Sequence, residues 1–138
     1  MRIAFGTDET TSLTEGLVAR LRGQGHDVIV VAEGDDWPEA GRAVGTAVAD
    51  DAAEFGIVCC TTGTGVSMAA NKVAGVRAAL CTDAATAAGA RRWNDANVLA
   101  FGLRLTTAAL ADEMVDAFLT TSFDEEEAPF VARVERPG

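Results

Sequence analysis

The sequence predicts an α/β fold: a single three-layer, doubly wound domain with a mainly parallel, five-stranded sheet. Apolar stretches typical of buried strands alternate strictly with amphipathic stretches typical of helices, beginning at the first residues. The chain has 138 residues, which is the usual size of one domain. No internal repeat or low-complexity segment divides it. We therefore expect one Rossmann-like domain over residues 1–138, with any ligand bound beyond the carboxyl ends of the strands.

Five stretches have the near-continuous apolar character of strands buried on both faces of a parallel sheet. They are Arg2–Thr7, Asp27–Val31, Phe55–Cys60, Val76–Cys81 and Asn97–Phe101. After the last of the helical patterns, the acidic run Asp124–Glu127 and Pro129 predict an irregular tail from about residue 121.

Helical patterns occupy the intervals between the predicted strands. The first has leucine and valine side chains at helical spacing before Gly25, at Leu13, Leu17, Val18 and Leu21. The second begins at Trp37 and runs to about Asp50, with Pro38 in the first turn, where its missing N–H is least costly. Further helices are expected over 65–71, 83–92 and 106–119.

Composition and charge exclude several classes of partner. The formal net charge is −10, and Lys72 is the only lysine, so a nucleic-acid-binding surface is not expected. No apolar run approaches the roughly 18–20 residues of a membrane-spanning helix, and the N-terminus turns acidic too early for a signal peptide. We expect a soluble, cytoplasmic protein with no membrane partner.

The three cysteines indicate neither a disulfide framework nor a metal site. A small, odd number of cysteines is typical of a protein in a reducing compartment. Cys59 and Cys60 are adjacent, a spacing that zinc sites do not use. The sequence therefore predicts no metal.

Two polar clusters follow predicted strands and mark the expected binding edge of the sheet. Thr7-Asp8-Glu9 follows the first strand, and the residues from Cys60 to Ser67 follow the third and lead into a helix. Gly63 and Gly65 would let backbone N–H groups converge on a ligand oxygen at the helix N-terminus. Two interpretations remain open here: an anion or oxyanion cradle, and a tight strand-to-helix turn without a ligand.

Cys60 lies at the start of this loop. A thiol there feels the field of the following helix, which suits a catalytic base or nucleophile. The alternative is a small buried hydrophobe, the commoner role of a free cysteine. Cys59, which points to the opposite face of the strand, and Cys81 are both expected in the core.

Four segments together resemble one protein family. CTTGTGVSMAANKVAGVRAALC, from Cys60 to Cys81, resembles the C-G-T-G-x-G-x-S-x-A-A-N-K-x-x-G-[IV]-R-A-A-x-C signature of ribose-5-phosphate isomerase B and its galactose-6-phosphate isomerase relatives. WNDANVLAFGLR, from Trp93 to Arg104, is similar to their H-N-D-A-N-V-L-A-x-G-x-R segment. IAFGTDE and DDWPEAGRAV are similar to the family's I-A-x-G-x-D-H and D-Y-P-x-x-A stretches.

The resemblance implies an aldose–ketose isomerase that needs no metal or organic cofactor. It also implies a homodimer or homotetramer whose active site is shared between subunits. By position, Cys60 matches the base that moves a proton between C1 and C2, and Asp8 matches the carboxylate that contacts sugar hydroxyls. A base and preorganised oxyanion donors are what proton abstraction beside a carbonyl requires.

Further residues match the family's binding positions. The resemblance assigns ring opening and stabilisation of the enediolate to a loop that comprises Thr62, Gly63, Thr64 and Gly65. Ser67 is expected to cap the helix and to contact substrate, and Asn94 matches an amide near the site. Arg104 matches an arginine directed toward phosphate, and a surface or interface salt bridge remains its alternative role.

The departures from the family pattern concern the phosphate and ring-opening positions. Glu9 stands in place of a histidine, Trp93 in place of the ring-opening histidine, and Thr61 in place of a glycine. The acidic tail replaces the family's phosphate-binding arginines, and His26, the only histidine, has no family role. Glu9 is then expected to accept hydrogen bonds from sugar hydroxyls, and Trp93 to stack on the sugar.

Three functions follow, and the sequence leaves them open. The leading hypothesis is an isomerase acting on a sugar other than ribose 5-phosphate. The second is a phosphopentose isomerase that uses Arg104 for the phosphate. The third is a catalytically degenerate subunit that binds a ligand or partners an active paralogue.

Overall fold

The computed structural model describes residues 1–135, which contain one sheet of five strands. The strands are β1 (Arg2–Thr7), β2 (Asp27–Glu33), β3 (Phe55–Cys60), β4 (Ala78–Leu80) and β5 (Val98–Gly102). All neighbouring strands pair in parallel, in the order β2-β1-β3-β5-β4. The predicted α/β class with a parallel five-stranded sheet is confirmed.

Six α-helices lie within residues 1–135. They are α1 (Ser12–Gly23), α2 (Trp37–Ala49), α3 (Thr64–Asn71), α4 (Ala84–Asn94), α5 (Ala108–Thr120) and α6 (Ala128–Val134). Side-chain caps fix several starts: Thr11, Asp83 and Thr107 each accept a hydrogen bond from a backbone N–H of the first turn. No helix within residues 1–135 is long and apolar enough to cross a bilayer.

The helices form one layer on each face of the sheet. Helices α1, α4 and α5 bury their apolar side chains against one face, and α2 and α3 pack on the other. Successive side chains of a strand point to opposite faces. In β3, Ile57 and Cys59 therefore lie in the core with α1 and α5, while Val58 and Cys60 lie with α2 and α3.

The connections after β1 and β3 leave the sheet on opposite sides. The chain passes from β1 to α1 on one face and from β3 to α3 on the other. Because β1 and β3 are neighbours, a crevice opens between the two departing loops at the carboxyl end of the sheet. This topological switch point places the polar segments after both strands side by side.

The predicted elements differ from the observed ones mainly at the edge strand and in the tail. The fourth strand was predicted over Val76–Cys81, but only Ala78–Leu80 pairs with β5; just before it, the Arg77 N–H donates to the Asn97 side chain instead of to a neighbouring strand. The prediction of an irregular tail was wrong for 125–134. A 3₁₀ turn covers Glu125–Glu127 and leads into α6, and Glu135 forms an ion pair with Arg77.

Candidate active site

A cleft of about 370 Å³ lies at the switch point and contains most of the residues predicted for catalysis. It is lined by Asp8, Trp37, Cys60, Thr61, Thr62, Thr64, Gly65 and Met68. A cleft of about 610 Å³ beside α6 is larger. Among residues 1–135, its lining contains no cysteine, serine, threonine or histidine, and its Arg77 and Glu135 are joined to each other in an ion pair. The chemistry of the side chains, not the volume, therefore identifies the smaller cleft as the candidate active site.

Backbone hydrogen bonds hold the loop after β3 from both sides. The Asp8 N–H donates to the Cys59 carbonyl at 3.4 Å, which joins this loop to the one after β1. On the other side, the Leu103 N–H donates to the Cys60 carbonyl at 2.8 Å and the Arg104 N–H to the Thr61 carbonyl at 3.0 Å. The residues around Cys60 are thus positioned by the two neighbouring strands, β1 and β5.

Cys60 lies at the floor of the cleft with 5% of its surface exposed. Its Sγ accepts a hydrogen bond from the Gly63 N–H at 3.2 Å. This contact holds the sulfur at the start of α3 and aims a backbone donor at it. The sulfur of Cys60 therefore combines access to the cleft with a fixed orientation.

Gly63 makes the tight turn between β3 and α3 possible. Its φ of +81° is in the left-handed region, where a side chain is strained. A Cβ there would also lie 2.6 Å from the carbonyl carbon of Phe101 in β5. Only glycine fits this position.

The first turn of α3 supplies donors to the cleft. The opening N–H groups of a helix lack intrahelical acceptors, and Thr64 and Gly65 of this turn line the cleft. The hydroxyls of Thr62 and Thr64 are 2.8 Å apart and hydrogen bonded to each other. Backbone amides and hydroxyls thus form one polar wall.

Asp8 adds a carboxylate that lacks a protein partner. Its Oδ1 is buried and has no hydrogen-bond partner within residues 1–135. Burial, followed by repulsion from Glu9, raises the pKa of Asp8 above its ordinary value, although a backbone hydrogen bond opposes this. An orphaned buried acceptor in a cleft is a position that a ligand hydroxyl can satisfy.

Cys59 and Cys81 are buried, as predicted for core residues. Burial raises the pKa of the Cys59 thiol to about 12 and that of Cys81 to about 11. Neither thiol is suited to act as a base near neutral pH.

The structure does not bring every predicted residue into this cleft. Glu9 is exposed, and its backbone carbonyl accepts a hydrogen bond from the Thr7 hydroxyl at 2.7 Å. Arg104 lines an adjacent cleft of about 160 Å³ that shares Thr61 and Thr62 with the first. Ser67 lies inside α3, so its predicted capping role is wrong: Gly63 is the N-cap residue.

Trp93 and Asn94 lie at the end of α4 and line the 610 Å³ cleft beside α6. Trp93 is 53% exposed, and its ring packs on the α-carbon of Gly89 one turn earlier. Within one chain these two residues are therefore separate from the cleft that contains Cys60.

Two residues that line the cleft were not predicted as site residues. Trp37 was interpreted as the start of a helix and, like Met68, as part of a family motif. The signal for Trp37 was its place just beyond the carboxyl end of a strand, the edge at which ligands bind in this fold class.

The cleft has an acidic side chain in its lining but no basic one among residues 1–135. Asp8 is its only ionisable lining residue besides Cys60, and within residues 1–135 no lysine, arginine or histidine lines it. A ligand in this cleft meets a carboxylate and neutral donors.

Comparisons with known proteins agree with this architecture. The sequence matches the profile of the Ribose/Galactose Isomerase family over residues 3–136. It is 41% identical over 128 residues to ribose-5-phosphate isomerase B of Escherichia coli (strain K12), covering 89% of this chain and 86% of that protein. It is 39% identical over 107 residues to galactose-6-phosphate isomerase subunit LacB of Clostridium acetobutylicum, covering 75% of this chain and 62% of the relative.

The fold matches a solved structure over nearly its whole length. The structure of Clostridium thermocellum ribose-5-phosphate isomerase B superposes with a TM-score of 0.91 at 36% identity, covering 98% of this chain and 95% of that chain. Sequence and fold comparisons thus point to one group of isomerases.

Proposed function

Because this chain belongs to the ribose/galactose isomerase family, we propose that it interconverts an aldose and a ketose in the cleft that contains Cys60. The chain is an isomerase of the same kind as its relatives. The observation that carries the proposal is the cysteine sulfur on the floor of a cleft, beside backbone donors and an unpartnered carboxylate.

Cys60 acts as the base in the proposed mechanism. It removes the proton from C2 of the aldose, and the electrons of the broken C–H bond form the C1–C2 double bond of an enediolate. The negative charge on O1 is met by the N–H groups and hydroxyls at the start of α3. Cys60 then returns the proton to C1, the hydroxyl proton passes from O2 to O1, and the ketose results.

Asp8 binds the substrate in this proposal. Its buried Oδ1, which has no partner within residues 1–135, accepts a hydrogen bond from a sugar hydroxyl. This contact fixes the sugar so that the carbon beside the carbonyl faces the sulfur.

The charge of the cleft supports a sugar other than ribose 5-phosphate. The relatives are named for phosphorylated sugars, but the lining of this cleft offers Asp8 and no cation among residues 1–135. A unit charge on a phosphate about 4 Å from a carboxylate is repelled by roughly 4 kcal/mol at an effective dielectric of 20. An unphosphorylated or differently substituted sugar avoids this cost.

Arg104 supports a second candidate, a phosphopentose isomerase. Arg104 is exposed, forms no ion pair with residues 1–135, and lies beside Thr61 and Thr62, which also line the Cys60 cleft. A phosphate at Arg104 would leave the sugar carbons near the sulfur.

Steady-state assays on D-ribose and ribose 5-phosphate decide between these candidates. We expect a higher kcat/KM for the free sugar, and little change in that value in an Arg104→Ala variant. A kcat/KM of about 10⁴ M⁻¹s⁻¹ or more for ribose 5-phosphate, lost in Arg104→Ala, would establish the second candidate instead.

A site completed by a second copy of the chain is part of the proposal. Exposed Trp93 and neighbouring Asn94 are separate from Cys60 within one chain. A homodimer or homotetramer would cover this apolar surface. Sedimentation velocity at micromolar concentration should show an oligomer, whereas a stable monomer would rule out a shared site.

A further inference from the structure

Trp37 forms a wall of the Cys60 cleft although it belongs to neither polar cluster. It is the first residue of α2, beyond the carboxyl end of β2, and 47% of its surface is exposed. The residue lines both the Cys60 cleft and a groove between α2 and α3, so its indole separates the two. An aromatic ring in this position is available to a ligand.

Gly65 fixes the position of the Trp37 ring. A Cβ on Gly65 would lie 2.8 Å from the six-membered part of the indole, so the ring rests directly on the backbone of α3. This contact is in the same first turn whose N–H groups serve the cleft. The indole therefore lies directly beside the donors of this turn.

The cleft has one polar wall and one apolar wall. Asp8 and the threonines supply the polar side, whereas Trp37 and Met68, which is 63% exposed, supply the apolar side. A sugar has the same division, because its hydroxyls lie at the edges and its C–H groups form an apolar face. Aromatic faces attract such C–H surfaces through burial and dispersion.

We propose that Trp37 is a specificity-determining residue that stacks on the C–H face of the bound sugar and thereby selects a neutral sugar over its phosphate ester. The inference rests on the proposed function, since it concerns the same site. A flat apolar wall binds a neutral carbon chain, but it offers nothing to replace the water around a phosphate dianion.

Fluorescence tests whether the ring contacts the sugar. The chain has two tryptophans, Trp37 and Trp93, so Trp93→Phe leaves Trp37 as the sole strong emitter, and Trp37→Phe is its matched control. Titration with D-ribose and D-ribulose should give a saturable change of emission in Trp93→Phe, where Trp37 is the sole tryptophan. Sugar turnover by Trp93→Phe with no change in its emission overturns the proposal.

Kinetics test whether the ring sets specificity. Trp37→Ala should lower kcat/KM for D-ribose about tenfold, mainly through KM, while the value for ribose 5-phosphate changes less than twofold. Trp37→Phe should restore most of the preference, because it keeps a planar apolar ring. A Trp37→Ala variant in which both sugars lose activity equally would overturn the specificity role, because the ring would then contribute equally to both.

A double-mutant cycle with Gly65→Ala tests the positioning contact. In the native chain the added Cβ must displace the indole, so kcat/KM should fall. In a Trp37→Ala background the space is free, so the same Gly65→Ala change should cost less. Strictly additive effects would contradict the idea that Gly65 holds the ring.

These results separate the two proposals. Sugar-dependent emission from Trp37 without turnover would support the stacking role and overturn the isomerase mechanism. If the protein turns over sugars and its preference between them is unchanged in Trp37→Ala, only the specificity role of Trp37 is overturned. If wild-type protein neither changes emission nor turns over any of the three sugars, both are overturned.

Discussion

Cys59 and Cys60 are neighbours in β3, yet the two faces of the strand give them different surroundings. Cys59 is enclosed by the apolar side chains of the α1, α4 and α5 layer, where burial raises the pKa of its thiol to about 12. Cys60 faces the α2 and α3 layer at the point where the strand ends, and its sulfur meets an N–H group and a cleft. A shift of one position along a strand therefore separates a packing residue from a candidate base.

The difference extends to the polar groups of each face. On the Cys59 side the core is mainly apolar, and the buried Arg91 guanidinium lies over the Phe55 and Phe118 rings with its Nε unpartnered within residues 1–135. On the Cys60 side, Asp8 keeps an unpartnered buried oxygen and α3 presents free N–H groups. On the Cys60 side the unpartnered oxygen borders a cleft that a ligand can enter, whereas the Arg91 Nε lies against aromatic rings.

Replacing each cysteine by alanine is the strongest test of this contrast. Cys60→Ala should lower kcat by at least about 10²-fold, because a positioned base contributes that much. Cys59→Ala should keep kcat within a few fold and lower the free energy of unfolding by about 1 kcal/mol through the lost packing. Enzyme assays and urea unfolding of both variants provide the measurement.

The opposite pattern would contradict the assignment of the two faces. Full activity in Cys60→Ala would mean that another group, such as Asp8, moves the proton. Loss of activity in Cys59→Ala without loss of stability would place the catalytic cysteine on the Cys59 face of the strand instead of the Cys60 face.

Alkaline pH should weaken the fold through the buried thiols. Cys59 and Cys81 have folded-state pKa values of about 12 and about 11, against an ordinary value of 9.0. Below pH 9 both states keep the protons, but above it the unfolded state loses them first. Each thiol should then lower the free energy of unfolding by about 1.4 kcal/mol per pH unit until its folded-state pKa is reached.

Urea unfolding at pH 8, 9 and 10 under reducing conditions measures this slope. The chain has no tyrosine and one lysine, so few other groups titrate in this range. Cys59→Ala should have a shallower slope than the native chain. An unchanged slope would mean that the Cys59 thiol ionises equally in both states.

Asp8→Asn should produce the smallest change in stability and reveal the cost of the unpartnered Asp8 carboxylate. Burial and Glu9 raise the pKa of Asp8, so its contribution to stability is greatest at acidic pH and falls as pH rises through that pKa. At pH 7 the asparagine variant should therefore be slightly more stable, by less than about 0.5 kcal/mol, while kcat/KM falls.

Thermal unfolding at pH 7 and pH 4 checks the sign. The advantage of the asparagine variant should shrink at the lower pH, because the raised pKa leaves a larger fraction of the native carboxyl protonated there than at pH 7. A variant that is less stable than the native chain at pH 7 would show that the Asp8 carboxylate is already satisfied within the protein.

The local sequence determined the central strands and the loop of the site. The bounds predicted for β1 and β3 match the observed ones, because both strands are buried on two faces and have continuous apolar character. The segment from Cys60 to Gly65 was predicted as a cradle at a helix start, and all but Gly63 line the cleft. The alternation of side chains along a strand was enough to predict that Cys59 and Cys60 point to opposite faces of β3.

Only the tertiary structure decided which distant residues join that loop. Trp37 enters the cleft because its ring rests on Gly65, a contact between α2 and α3 that no local pattern records. Trp93 matches a family site position but lies at the end of α4, facing another cleft. Local patterns fix the periodicity and the turns, whereas the neighbours of a side chain depend on strand order and on the face to which each connection crosses.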